Sequence, residues 1–140
     1  MRVDFQSGNY LEIEIGRGTA GIPFDCAITV AMRCAPFEGR ISTYADGPDV
    51  EVFMRDLSLL SQTLRGEASL VSDDGRGLEL NFRTLDSLGH LVAEVQMQER
   101  FILRSREFAL VCSGVFEFEA QAFGEFCNAL VACIHEGTNA

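Results

Sequence analysis

Strictly alternating runs of apolar and polar residues recur along this chain, and a period of two suits an extended strand with one covered face. In "YLEIEI", Leu11, Ile13 and Ile15 fall on one side and Glu12 and Glu14 on the other. "FDCAITVAMR" puts Phe24, Cys26, Ile28, Val30 and Met32 inward. Its opposite face, Asp25, Ala27, Thr29, Ala31 and Arg33, is small or polar, as in an antiparallel sheet covered on one side. The Cys34-Ala35-Pro36 step interrupts this strand, and "FEGRISTY" returns it with Phe37, Ile41 and Thr43 inward, so the two are read as a hairpin. Alternation resumes in "EASLVS", "GLELNFR", "HLVAEVQMQ" and "FALVCSGVFEF". Here Leu78, Leu80 and Phe82 share a face; so do Leu91, Ala93, Val95 and Met97; so do Phe108, Leu110, Cys112, Gly114, Phe116 and Phe118. Asp73-Asp74-Gly75 and Ser87-Leu88-Gly89 are the turn signals between these runs.

Two segments change to a helical period. In "DGPDVEVFMRDLSLLSQTLRG", Asp46 or Gly47 precedes Pro48 at a favoured first-turn position, and Asp49 and Glu51 complement the positive end of the helix. Val50, Phe53, Leu57, Leu60 and Leu64 form its apolar stripe, and Gly66 stands where a C-terminal cap is expected. From about Glu119 to His135, the residues Phe123, Phe126, Cys127, Leu130, Val131 and Ile134 make a second stripe, which Gly124 weakens by roughly 1 kcal/mol relative to alanine. "GTNA" reads as a frayed tail. The expected fold is therefore a single α+β domain over residues 1–140, an antiparallel sheet of about seven to eight strands with two helices, in the order strands-helix-strands-helix. The order suggests two similar halves, although no residue-level repeat accompanies it.

A chain of 140 residues, 47% of them hydrophobic, is long enough to bury a core without metal or disulfide staples. No apolar run approaches the roughly 18 residues that span a bilayer. The N-terminal stretch alternates like a strand and lacks the apolar block of a signal peptide, so a cytoplasmic location and no membrane association are expected. The net charge is −10, which repels phosphate backbones and argues against a nucleic-acid partner. Every basic residue is an arginine. The absence of lysine excludes a Schiff-base lysine, a Walker-type phosphate lysine and a lysine-activated serine. Cys26, Cys34, Cys112, Cys127 and Cys133 contain no C-x-x-C pair and form neither a disulfide framework nor a zinc signature. Cys26, Cys112 and Cys127 fall on apolar phases, where cysteine behaves as a small hydrophobe.

The remaining motifs read structurally. His90 follows a glycine able to take positive φ and opens an alternating run, so it is expected to be a turn residue rather than a catalytic group. His135 lies in the last helical turn, where a cation meets the negative end of the dipole. "IGRGTAGIP" carries Gly16, Gly18 and Gly21 at G-x-G-x-x-G spacing, but Pro23 and a strand follow where a phosphate loop needs a helix. Glu12 with Glu14, and Glu94 with Glu117, are expected as solvated charges on outer sheet faces. No catalytic residue, metal or cofactor is expected.

From Phe53 to Met97 the chain resembles the WapI-type immunity family of small bacterial proteins and its neighbouring families. The matching features are a helix ending L-x-G-E-A, here Leu64, Gly66, Glu67 and Ala68, and a D-x-x-G-H step opening a strand, here Asp86, Gly89 and His90. "FEFEAQAFGEFCNALVACI" is similar in kind, although Glu119-Ala120-Gln121-Ala122 stands where the family has an Asp-Gln-Thr-Tyr-like step. The resemblance implies a binding protein that neutralises a toxin by direct contact, without catalysis or cofactor. A basic partner such as a toxin suits the acidic charge. Asp46, Asp49, Glu51, Asp73 and Asp74, acidic at loops or at the helix start, are the candidate partner-binding residues. The alternative is a small-molecule-binding or enzymatic domain with a phenylalanine-lined pocket between sheet and helices. A homodimer formed through an exposed sheet face or edge strand is a third expectation.

Overall fold

The alternating runs become eight antiparallel strands in two four-stranded sheets, each followed by a helix. The computed structural model describes residues 1–17, 25–72 and 77–138. The first sheet, in the order β1-β2-β3-β4, comprises β1 (Arg2–Asp4), β2 (Tyr10–Arg17), β3 (Asp25–Cys34) and β4 (Phe37–Asp46), and it leads into α1 (Gly47–Thr63). The second, β5-β6-β7-β8, comprises β5 (Glu67–Val71), β6 (Gly77–Thr84), β7 (His90–Leu103) and β8 (Arg106–Glu119), and it leads into α2 (Ala120–Thr138). No helix among the described residues is long and apolar enough to cross a membrane.

The strand registers keep the apolar phases together. Leu11 lies opposite Met32, Ile13 opposite Val30 and Ile15 opposite Ile28, while Ile41 and Thr43 continue the same rows on β4. In the second sheet Ala68, Phe82, Ala93 and Phe116 form one row across all four strands. The two inner faces and the buried stripes of both helices make one apolar cluster. Where the sheets meet most closely, glycines replace side chains. A Cβ on Gly39 of β4 would lie 3.2 Å from Cys112 Sγ and Met97 Sδ, and one on Gly114 of β8 would lie 2.8 Å from Met32 Sδ. The α2 helix packs against β2 of the other sheet and alongside α1.

Phe82 sits at the centre of this core. Its ring lies 5.7 to 6.0 Å from those of Phe53, Phe123 and Phe126, and Phe118 joins the same group, at separations where tilted aromatic pairs add to area burial.

Three expectations change. Phe37, in phase with Ile41, is 66% exposed because β4 begins beyond the region that the opposing sheet and helices cover. The left-handed residue that ends α1 is Leu64 (φ 56°), whose amide donates to the Leu60 carbonyl, and Gly66 (φ 93°) belongs to the link into β5. The β7–β8 hairpin is also longer than its alternating runs, closing through Arg104 and Ser105, both at positive φ. Phe24, Gly18, Gly21, Pro23 and the Asp73-Asp74-Gly75 turn lie outside the described residues, as do the last two residues of "GTNA" and the side chains of Ile134 and His135. Helix α2 continues to Thr138.

Candidate functional site

A groove of about 650 Å³ runs along the outer edge of the second sheet, between the β1 end with its following 3-10 turn (Gln6–Gly8) and the last residues of β8. Asp4, Glu117 and Glu119 bring carboxylates to it, Gln6 and Asn9 bring amides, and Phe5, Val115 and Phe116 form its apolar wall. Phe5 anchors this wall, with its ring 5.1 Å from Phe116 and 5.2 Å edge-on from Phe118. Asn9 is itself held, its Oδ1 accepting from the Ala35 amide at 2.9 Å. Glu117 and Glu119 are on the outer face of β8 because they alternate with buried Phe116 and Phe118.

His90 reaches the same groove from the start of β7, directly opposite Glu119. Its Nδ1 hydrogen-bonds Asp86 Oδ2 at 2.7 Å, while Asp86 Oδ1 accepts from the Leu88 amide at 2.8 Å. This carboxylate therefore closes the β6–β7 turn, an Asx-type arrangement. The Asp86 hydrogen bond and charge raise the His90 pKa above its ordinary value, with Glu117 and Glu119 adding to the rise. The same hydrogen bond lowers Asp86 below the ordinary carboxylate range, helped by the Leu88 and His90 amides. Below its raised pKa, His90 is an imidazolium among carboxylates and serves as a charge-balancing donor. Its neighbour Gly89 takes φ 89° in the turn.

The other acidic positions are dispersed. Asp46 and Asp49 flank the start of α1 and Glu51 follows on it; all three are exposed, and none lines the groove. Asp46 is the N-cap by position but makes no capping hydrogen bond through its side chain. Asp73 and Asp74 lie outside the described residues. Glu94 is engaged by Arg83, with Nε 2.8 Å from Oε1, so the Glu94–Glu117 pair divides between an ion pair and the groove. Among the described residues no group of three His, Cys, Asp or Glu side chains is placed to hold a metal ion.

A second open surface lies at the far end of β7 and β8. A groove of about 570 Å³ separates the start of β4, including Phe37, from Leu110 and Val111 of β8. Beyond it Phe101 and Phe108 stack at 5.9 Å on the projecting hairpin. Compared with family models, with curated proteins and with solved structures, the chain matches none.

Proposed function

We propose that this protein is a binding domain for a basic protein partner, in its most specific form an immunity protein that neutralises a toxin by direct contact. The observation that carries the reading is the convergence of Glu117 and Glu119 on one groove with an apolar wall, beside Asp4, whose carboxylate Arg2 holds at 3.0 Å. Carboxylates beside aromatic and aliphatic surface suit an arginine or lysine, whose charged head and apolar stem need those two environments. The net charge of −10 adds long-range attraction for a basic partner and speeds its encounter. The resemblance of residues 53–97 to the WapI-type immunity family supports the same direction.

A small-molecule reading draws on the same groove, since its volume falls in the range of about 300–1,000 Å³ typical of ligand sites and His90 supplies a titratable donor at its edge. The deciding experiment is affinity capture from the native host with wild-type bait and with a Glu117→Arg, Glu119→Arg bait, each eluted with rising salt. A basic protein held by the wild type, released as salt screens charge and missed by the variant supports the proposal. Equal capture by both baits refutes the groove as the contact, and a retained small molecule in place of a protein favours the second reading.

A further inference from the structure

Sulfur-bearing side chains gather where the two sheets meet. Two of the four methionines and two of the five cysteines, Met32, Met97, Cys34 and Cys112, flank the glycines Gly39 and Gly114. Met97 and Cys112 are direct partners across β7 and β8, so their side chains leave the sheet side by side. A Cβ on Gly39 would lie 3.2 Å from both of their sulfurs, so both border the space that this glycine leaves open. Met32 is the partner of Gly39 across β3 and β4. Its thioether reaches the other sheet, where a Cβ on Gly114, two residues along β8 from Cys112, would lie 2.8 Å from it. Sulfurs from three strands thus adjoin one gap between the sheets.

The surroundings of this gap say what it can hold. The Cys112 thiol is half-buried and, among the described residues, gives its hydrogen to no acceptor, whereas the Cys34 and Cys127 thiols donate to the Val115 and Leu57 carbonyls. Met97 and Cys112 also line the groove of about 570 Å³ beside β4, which opens a path from solvent. Of the carboxylates along that groove, Glu38 accepts from the Tyr10 hydroxyl at 2.8 Å, and Glu99 has an interaction of its own within the chain. Sulfur is the donor that the gap itself offers.

Thiolate and thioether ligands select copper(I) over harder divalent ions. Charge points the same way. Cys112 would lose its proton to water on binding a metal, and one thiolate with two neutral thioethers exactly balances a monovalent ion. A divalent ion would keep a net positive charge next to Met32 and Met97, which are 1% and 5% exposed, and near Arg40 of the same groove; such a charge is costly to bury. We propose that Cys112, Met97 and Met32 form a binding site for a cuprous ion, entered from the groove between β4 and the base of the β7–β8 hairpin. The site shares no residue with the acidic groove, so either reading can fail without the other.

Anaerobic titration of the full chain against the copper(I)–bicinchoninate complex tests the proposal, because the complex loses its colour when the protein withdraws the metal. The wild type is expected to take up one equivalent, and so is Cys133→Ser, which removes the exposed thiol. Cys112→Ala should lose that equivalent. Met97→Leu, which nearly conserves side-chain volume, should weaken uptake by at least about tenfold, the loss that even an outer-sphere partner of a metal causes. Far-UV circular dichroism checks that both variants keep the fold. X-ray absorption of the wild-type complex needs no variant: sulfur neighbours alone, at about 2.3 Å, are expected around the copper, and nitrogen or oxygen neighbours overturn the site. A wild type that takes no copper from the chelator overturns it too, as does an equivalent that survives in a folded Cys112→Ala. Undiminished uptake by Met97→Leu overturns the part assigned to the thioether.

Discussion

His90 and Asp86, four residues apart, face each other across the β6–β7 turn with Nδ1 2.7 Å from Oδ2. The pairing ties the first residue of β7 to the loop before it and places an imidazole beside Glu117 and Glu119.

The pair makes stability depend on pH in a defined window. His90 has a raised pKa in the folded protein, so its contribution is complete below the unfolded value near 6.5 and is lost as pH rises through the folded value. Asp86 has a lowered pKa, so its contribution is complete above about 3.9 and is lost as pH falls through the folded value. The melting temperatures of wild type and His90→Gln should therefore differ most near pH 5 and converge by pH 9. Thermal unfolding across that range checks this, and a gap that widens with pH contradicts it.

Phe82→Ala should cost about 3–5 kcal/mol, the usual range for emptying a buried phenylalanine site, because Phe82 is 1% exposed and surrounded by aromatic rings. Against a typical stability of 5–15 kcal/mol, that loss is large. Phe108→Ala removes the same side chain from the projecting β7–β8 arm, where it is 46% exposed and stacks on Phe101, and should cost only about 0.5–1.5 kcal/mol. Urea unfolding of both variants compares them directly.

The arm closes through Arg104 and Ser105 at φ 51° and 64°, a two-residue turn that favours Asn-Gly. Replacing them with Asn and Gly relieves left-handed strain, about 1–2 kcal/mol for an ordinary L-residue so placed, in full at the glycine and in part at the asparagine. Because the arm can open without disturbing the core, the gain should appear as slower amide exchange at Phe101 and Phe108, with little change in melting temperature.

Cys127 is buried between the helices, its Sγ 3.9 Å from the Leu57 carbonyl, and burial pushes the thiol up to about 12. Only thiolate alkylates readily. Iodoacetamide at pH 8 should therefore label exposed Cys133 in the native chain and reach Cys127 only after unfolding. Peptide mass spectrometry reads both sites, and early labelling of Cys127 would show the α1–α2 contact to be open.

Much of the fold was legible because backbone geometry imposes it locally. Leu11, Ile13 and Ile15 could share a face only in a strand, and Val50, Phe53, Leu57 and Leu60 only in a helix. Pro48 at the start of α1 and Gly89 before β7 behave as their backbone preferences require. The turn at Arg104-Ser105 carried no glycine or asparagine, and the apolar run Phe101-Ile102-Leu103 broke the alternation, so the closing turn and the outer half of β7 had no local signal, although Phe108 and Leu110 on β8 did. The groove was equally hidden: Asp4 and Glu119 sit near opposite ends of the chain and line one groove only because Phe5, next to Asp4, packs on Phe116 and Phe118 of β8.

Alternation by itself determined which residues share a face, since side-chain direction in a strand follows from the backbone period. Whether that face is covered was decided by tertiary structure alone. Phe37 and Ile41 share one phase, as do Phe108 and Phe116, yet the first of each pair is exposed and the second buried. Burial depends on where the opposing sheet and helices end, and no local period encodes that distance.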